Sequence, residues 1–151
     1  MAEHRASKWV ILFCTEATSR PYHMDCVRWW SWSEWEDYCR SMTDGVWPSS
    51  YPHVHSEEDW ERSRRQGYTF CAAIVDDCTV ATAAVHRCSD DEWMVVSVGT
   101  APAFQRRGYG RAVVSFVTEH ILAQGRTATL GTRPYNVQML EVAQSVGFRL
   151  R

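Results

Sequence analysis

The chain has 151 residues, 45% of them hydrophobic and 23% charged, which is typical of one globular domain and excludes a disordered chain, a collagen or a coiled coil. Its formal net charge of −2 argues against a nucleic-acid partner, because such affinity comes from neutralising phosphates. No apolar run approaches the roughly 18–20 residues of a membrane span, so we expect a cytoplasmic protein with no membrane partner. The six cysteines include no CxxC pair and no metal-ligand spacing, so we expect no metal site.

The first half of the chain predicts one strand and two helices. Lys8–Cys14 is apolar and rich in β-formers, which predicts a strand. Tyr22–Met42 lies between turn signals and predicts a helix, and Val46–His55, with two prolines, predicts a loop. Ser56 followed by three acidic residues predicts the capped start of a second helix, which ends at Gly67.

The second half alternates strands and helices. Three strand-like runs separated by acidic turns predict an antiparallel meander, and two helices flank a further strand. In order, the strands are Tyr68–Val75, Thr79–Arg87 and Trp93–Thr100, followed by a connection at Pro102–Arg107, a helix at Gly108–Gln124, a strand at Thr127–Thr132 and a helix at Tyr135–Val146. The order β-α-α-β-β-β-α-β-α mixes a meander with crossovers, which predicts the α+β class around one mixed sheet.

Two glycines and three arginines surround the start of the helix predicted at Gly108–Gln124. The first N–H groups of a helix have no intrahelical partner and, together with the helix dipole, bind anions. Gly108 and Gly110 let a ligand approach the backbone closely. The guanidinium groups of Arg106, Arg107 and Arg111 can add charge-assisted hydrogen bonds to phosphate oxygens. The pattern therefore predicts a ligand that carries a pyrophosphate.

Two familiar phosphate loops are excluded. A P-loop would end in Gly-Lys-Ser/Thr, which is absent. A dinucleotide-binding loop would have a third glycine where Val113 stands.

Instead, Gln105–Gly110 resembles motif A of the GCN5-related N-acetyltransferases (GNAT), Gln/Arg-x-x-Gly-x-Gly/Ala. Thr100-Ala101-Pro102 stands where that family ends the preceding strand. Asn136 through Gly147-Phe148 resembles its motif B, in which an asparagine opens a helix that Gly-Phe closes. The resemblance covers roughly residues 68–151.

The resemblance implies a GNAT-like fold in one domain, residues 1–151, in which residues 1–67 serve the acceptor and residues 68–151 bind acyl-CoA. It implies that two strands, Trp93–Thr100 and Thr127–Thr132, splay apart to admit the pantetheine arm. The backbone of the first would pair with that arm, and the amides of the glycine-rich loop would hold the pyrophosphate. The implied cofactor-binding residues are Val98, Thr100, Gln105, Arg106, Arg107, Gly108, Tyr109, Gly110, Arg111 and Asn136.

The activity that the resemblance implies is N-acetyl transfer. Acetyl-CoA, or another acyl-CoA, would donate directly to an amine of a small molecule or a peptide in a ternary complex. Two alternatives stay open. The first alternative is a non-catalytic module that binds acyl-CoA. The second keeps the fold but performs another reaction on a CoA thioester, such as hydrolysis or decarboxylation.

The usual acid and base of the family are missing. Where many relatives place a glutamate, this chain has Met94, and the nearest carboxylate is Glu92 on the same strand face. Glu92 and His86 are the candidate proton acceptors, although a solvated turn residue and a strand-end histidine explain them equally simply. The position of the family's tyrosine acid is Ala143.

The acceptor side is rich in tryptophan. Trp32 and Trp35 share a helical face with Tyr38, which core packing explains, whereas Trp29 and Trp30 point elsewhere. Trp29, Trp30 and Trp32 are therefore candidates for binding a flat or cationic acceptor.

The sequence ends soon after the last helix, where relatives continue with two more strands, so the C-terminal strand pair is short or missing. Three explanations are open for the sheet edge that this strand pair would occupy: a partner subunit fills it, it stays open, or the chain is a fragment. An open edge favours a homodimer, because unpaired edge strands readily pair with another chain.

Overall fold

The computed structural model describes residues 8–34 and 56–151. Their elements in chain order are β1 (Val10–Cys14), β2 (Val27–Trp29), α1 (Glu57–Arg65), β3 (Tyr68–Val75), β4 (Cys78–His86), β5 (Glu92–Thr100), a 3₁₀ turn (Pro102–Phe104), α2 (Tyr109–Ala123), β6 (Thr127–Thr132), α3 (Val137–Val146) and β7 (Arg149–Leu150). Residues 32–34 are also helical. The predicted α+β class is confirmed. Within these residues, no helix combines the length and the apolar character that crossing a membrane requires.

All seven strands form one sheet in the order β2-β3-β4-β5-β6-β1-β7. Every neighbouring pair is antiparallel except β5 and β6, which α2 connects as a parallel crossover. The predicted meander is therefore present as β3, β4 and β5. The sheet is mixed, as predicted.

The helix predicted over Tyr22–Met42 is wrong at its start. Residues 22–26 are not helical, and Val27–Trp29 form β2, which pairs antiparallel with β3. The physical reason is that the edge of β3 offers unpaired backbone groups to a segment rich in β-formers, and Trp30 N–H continues the pairing by donating to the Phe70 carbonyl at 2.9 Å. The remainder of that predicted helix from residue 35, and the predicted loop Val46–His55, lie outside the described residues.

The sheet next to β6 is completed from within the chain. β1 pairs with β6 over its whole length, from Val10 opposite Thr132 to Cys14 opposite Ala128. β7 then pairs with the outer side of β1. β7, only two residues long, is the short C-terminal strand that the sequence predicts, and β1 fills the position beside β6; pairing of the outer edge with a partner subunit stays a prediction. The outer edge of this half of the sheet is β7.

The sheet has two differently covered faces. The first face packs against α2 and α3 in the main hydrophobic core, to which β1 contributes Leu12 and β5 contributes Val95. The second face carries α1 over a smaller cluster around Trp60 and Phe70. Since side chains alternate along a strand, the neighbours of Leu12 and Val95 belong to the second face.

Candidate active site

β5 and β6 pair only at their beginnings and then separate. The paired residues are Glu92, Trp93 and Met94 of β5 with Thr127, Ala128 and Thr129 of β6. Beyond them β5 continues to Thr100 with no partner on this side among residues 8–34 and 56–151, and a cavity of about 1240 Å³ opens between the two strands. The splay predicted from the family resemblance is therefore present.

A β-bulge lies in the part of β5 that borders the cavity. Thr82 of β4 pairs with Gly99 and Ala84 pairs with Val96, so β5 carries one residue more than β4 between these points. Ser97 adopts φ 55°, in the left-handed region, and its carbonyl accepts a hydrogen bond from the Thr82 hydroxyl at 3.2 Å. Such bulges re-aim a strand's backbone and side chains. The bulge at Ser97 therefore changes the direction of the β5 backbone at the wall of the cavity.

The start of α2 has no side-chain cap, unlike the starts of α1 and α3. Ser56 caps α1 by accepting from Asp59 N–H, and Asn136 caps α3 by accepting from Met139 N–H at 3.2 Å. The N-cap of α2 is Gly108, at φ 90°, and no side chain caps this helix. The N–H groups of its first turn are therefore left for a ligand or water, at the positive end of the helix dipole.

Arg111 lies in that first turn with an incompletely satisfied guanidinium. Its Nε is buried without a hydrogen-bond partner, and its Nη2 lies 3.5 Å from the Ser145 carbonyl of α3. The guanidinium stacks on the Tyr22 ring at 4.4 Å, and Tyr22 N–H donates to the Ser115 hydroxyl of α2 at 2.8 Å. Tyr22 thus fixes Arg111 in place beside the cavity. An unpaired buried donor is costly, so an anion that accepts from Arg111 would be bound favourably.

Both glycines of the loop stand where a side chain would interfere. A Cβ at Gly108 would lie 2.6 Å from the Tyr22 hydroxyl oxygen, and one at Gly110 would lie 3.0 Å from Thr100 Oγ1. Gly108 also needs its positive φ to begin the helix. The loop is therefore shaped for close backbone approach.

The structure brings most of the predicted cofactor-binding residues together. Eight of them line the cavity: Val98, Thr100, Gln105, Arg106, Gly108, Gly110, Arg111 and Asn136. Arg107 and Tyr109 do not; the Arg107 guanidinium lies 5.6 Å from the centre of the Phe104 ring, and the Tyr109 ring packs edge-on against the same ring at 5.9 Å. Both side chains therefore pack on Phe104. The structure does not bring the Arg107 guanidinium, predicted to contact phosphate, into the lining; the role predicted for the backbone amides of both residues stays a prediction.

Neither candidate base lies among the cavity-lining residues. Glu92, at the opposite end of β5, forms an exposed ion pair with Arg151, and this hydrogen-bonded partner lowers the pKa of the carboxyl group. The His86 ring stacks on Tyr68 at 3.9 Å, and partial burial lowers the pKa of its imidazole, which keeps it neutral at pH 7. Ala143 is fully buried in the main core.

The three candidate acceptor tryptophans pack inside the protein. Trp29 contacts Phe116 of α2 at 4.9 Å, on the first face. Trp30 and Trp32 belong to the cluster under α1 on the second face, where Trp32 lies 6.2 Å from Trp60. None of the three lines the cavity. Trp35 and Tyr38 lie outside the described residues.

The sequence did not predict several of the residues that line the cavity. β1 supplies Ile11, the residue before β1 is Trp9, β6 supplies Gly131, and α3 supplies Gln138 and Glu141. Gln138 and Glu141 lie three residues apart and therefore on one face of α3, which is the signal that the sequence offers for them. For Trp9 and Ile11 the sequence holds no such signal, because their position depends on which strand β1 pairs with.

The comparisons with known proteins agree with this geometry. The sequence model of the Acetyltransferase (GNAT) family matches residues 24–148. No curated protein matches the sequence. A protein assigned to the GNAT family from Novosphingobium aromaticivorans DSM 12444 has a similar structure, with a TM-score of 0.67, 18% identity, and coverage of 97% of this chain and 62% of that chain.

Two similar structures have named activities or ligands. AAC(6')-Iy, solved with the bisubstrate analogue CoA-S-monomethyl-acetylneamine, is 16% identical with a TM-score of 0.61, covering 85% of this chain and 92% of that one. The ribosomal-protein-S18-alanine N-acetyltransferase from Escherichia coli is 19% identical with a TM-score of 0.61, and the match covers 83% of this chain and 78% of that one. Identities this low show the fold alone.

Three solved structures match nearly all of this chain, but this chain spans only 62%, 58% and 60% of their lengths. The family match itself covers most of the chain, including the whole loop from Thr100 to Arg111 and the helix that Asn136 opens. The chain belongs to the GNAT acetyltransferase family.

Proposed function

We propose that this chain binds acetyl-CoA, or another acyl-CoA, in the cavity between β5 and β6 and transfers the acyl group to an amine. Membership of the family supports acetyl transfer in general. The observation that carries the proposal for this chain is the uncapped start of α2, where Arg111 holds a buried, unpaired Nε beside the cavity.

The residues present fit the parts of a CoA molecule. The N–H groups at the start of α2, with Arg106 and Arg111, suit the pyrophosphate. The edge of β5 beyond Met94 has no partner among the described strands and offers backbone donors and acceptors to the amides of the pantetheine arm. Asn136 uses its side-chain oxygen to cap α3, which leaves its amide N–H₂ group for the ligand.

Direct transfer suits the side chains of the cavity. Bound acyl-CoA supplies a thioester whose carbonyl carbon the amine attacks; the C–N bond forms, the C–S bond breaks, and the thiolate leaves. No cysteine is among the described lining residues, which supports transfer without an acyl-enzyme. An amine with a pKa near ~10.4 must first lose a proton. Glu92 and His86 remain the proposed acceptors, and because both lie outside the lining, each would act through water.

Calorimetric titration with acetyl-CoA, CoA and pantetheine tests the binding site. We expect Arg111→Gln to weaken binding of the two CoA species by about tenfold or more and to leave pantetheine, which lacks the pyrophosphate, nearly unchanged. Arg62→Gln removes the same charge from α1, where Arg62 pairs with Asp59 at 3.1 Å, and serves as the control. Equal losses in both variants, or no binding to the wild-type chain, would refute the site.

Product analysis tests the reaction. Incubation with acetyl-CoA and a panel of amines, followed by mass spectrometry, should yield an acetylated amine and free CoA in equal amounts, because the departing thiolate takes up the proton that the new amide nitrogen releases. Loss of the thioester without an acetylated amine would indicate hydrolysis instead.

A non-catalytic acyl-CoA-binding module is the second candidate. The position of Glu92 and His86 outside the cavity lining favours it, as does Ala143, whose methyl group has no proton to donate. Tight CoA binding with no product from any amine would support this candidate.

We also propose a homodimer in the cytoplasm. The support for the dimer is the outer edge of β7, where Leu150 is 63% exposed, since such edges pair readily with a second chain. Analytical ultracentrifugation tests the dimer, and cell fractionation tests the location.

A further inference from the structure

The cavity reaches both faces of the sheet, and the two ends differ in chemistry. On the first face it is bordered by the loop before α2 and by α3. On the second face it is bordered by side chains that alternate with buried core residues: Ile11 precedes Leu12 in β1, and Met94 and Val96 flank Val95 in β5. The second-face end is therefore lined by apolar side chains from two strands, with Trp9 beside them.

Gly131 provides the space between these two walls. It lies opposite Ile11 in the pairing of β1 with β6. A Cβ at Gly131 would lie 3.2 Å from Ile11 Cδ1 and 3.6 Å from the Trp9 ring. Both side chains thus lean over the backbone of β6 at the mouth of the splay. The Arg133 guanidinium, 4.0 Å from the centre of the Trp9 ring, covers one side of the indole and holds it in place.

Much of this apolar surface is uncovered in the described part of the chain. Trp9 is 57% exposed and Ile11 is 40% exposed, although both border the cavity. The charged residues among the described lining are Arg106, Arg111 and Glu141, and all three belong to the loop before α2, to α2 or to α3. Among the described residues that line the cavity, none at the second-face end carries a carboxylate; Glu92, on the same face of β5, lies outside the lining.

We propose that the second-face end of the cavity binds the amine acceptor through an apolar group, an aryl or alkyl substituent next to the reacting nitrogen, and that Trp9 is the specificity-determining contact. This inference rests on the proposed function. An aromatic or aliphatic group stacks on the indole and on Ile11, with Met94 and Val96 opposite. A polycationic acceptor would leave its additional charges unpaired there, which is unfavourable.

Steady-state kinetics at saturating acetyl-CoA test the proposal. We expect kcat/KM for 2-phenylethylamine and hexylamine to exceed that for ethanolamine and spermidine by about tenfold or more. Trp9→Ala should raise the KM for 2-phenylethylamine about tenfold, and Trp9→Phe should retain most of the affinity. Phe13→Ala is the matched control, because Phe13 is an aromatic residue of β1 on the face of Ile11 but does not line the cavity. A preference for spermidine, or an unchanged KM in Trp9→Ala, would overturn the proposal.

Binding measurements keep this proposal separate from the proposed function. Calorimetric titration of 2-phenylethylamine into the CoA-saturated chain needs no turnover. If CoA binds but no amine is acetylated, weaker 2-phenylethylamine binding by Trp9→Ala than by the wild type would still support the apolar site, and equal binding would refute it. CoA affinity itself should be the same in Trp9→Ala and the wild type, since Trp9 lies on the second face.

Discussion

Replacing Leu12 with alanine tests whether β1 is an integral strand of the sheet. Leu12 is fully buried in the main core, between Leu130 of β6 and Leu150 of β7. Truncation to alanine removes three carbons, worth about 0.8 kcal/mol each in transfer free energy, and leaves a cavity that adds to the loss. We expect the free energy of unfolding to fall by about 3–4 kcal/mol. For a chain of this size, the melting temperature should then fall by roughly 6–16 °C.

The matched variant is Ile11→Ala, one position earlier in the same strand. Ile11 is 40% exposed at the cavity, so its truncation should cost about 1 kcal/mol or less. Urea unfolding followed by circular dichroism measures both, with a lower midpoint and an unchanged m-value expected for Leu12→Ala. A shift of β1 by one residue would exchange the faces of the two side chains. Equal losses, or a larger loss for Ile11→Ala, would therefore refute the register.

Three further predictions follow from named contacts. Gly147→Ala should lower the free energy of unfolding by at least about 3 kcal/mol, because Gly147 has φ 105° and a Cβ there would collide with the backbone of the loop after β1. Gly125→Ala should cost only the strain of its positive φ, about 1–2 kcal/mol, since nothing lies within 4 Å of the added Cβ; urea unfolding compares the two. Burial and the charge of Arg87 lower the pKa of His120, so this imidazole binds a proton more readily in the unfolded chain than in the folded one. The free energy of unfolding should therefore fall as the pH falls from about 6.5 through the lowered pKa. His120→Gln should reduce this pH dependence, which urea midpoints measured between pH 7 and pH 5 report. Tyr22→Leu should weaken CoA binding several-fold by releasing Arg111, whereas Tyr22→Phe keeps the ring under the guanidinium and most of the affinity, as measured by calorimetry.

Local signals predicted much of the fold because the forces that they report act within a few residues. Ser56 is a side-chain cap and Gly147 ends α3 in the left-handed conformation, as their positions in the sequence indicated, whereas the family resemblance implied that Asn136 opens α3. The strands Tyr68–Val75 and Thr127–Thr132 have the predicted bounds. The loop before α2 was equally readable, since an uncapped helix start with glycines and arginines is a local property.

Long-range pairing was not readable from the same sequence. The apolar run ending at Cys14 indicates a strand, yet nothing in it indicates that β1 lies between β6 and β7, more than a hundred residues away. The segment Val27–Trp29 has residues compatible with a helix or a strand, and the exposed edge of β3 decided between them. For the same reason the residues of the site that depend on β1, Trp9 and Ile11, could not be predicted.

The position of β1 connects the stability of the sheet with the shape of the site. β6 pairs with β5 through three residues but with β1 through five, so β1 holds β6 in the sheet beyond the point where β5 diverges. The cavity therefore depends on β1 as well as on the loop before α2. The family match spans residues 24–148 and includes the loop, α2 and α3, whereas β1 lies before it. The part of the cavity that fits CoA thus belongs to the segment shared with the family. The apolar wall that we assign to the acceptor comes partly from Trp9 and β1, which lie outside that segment.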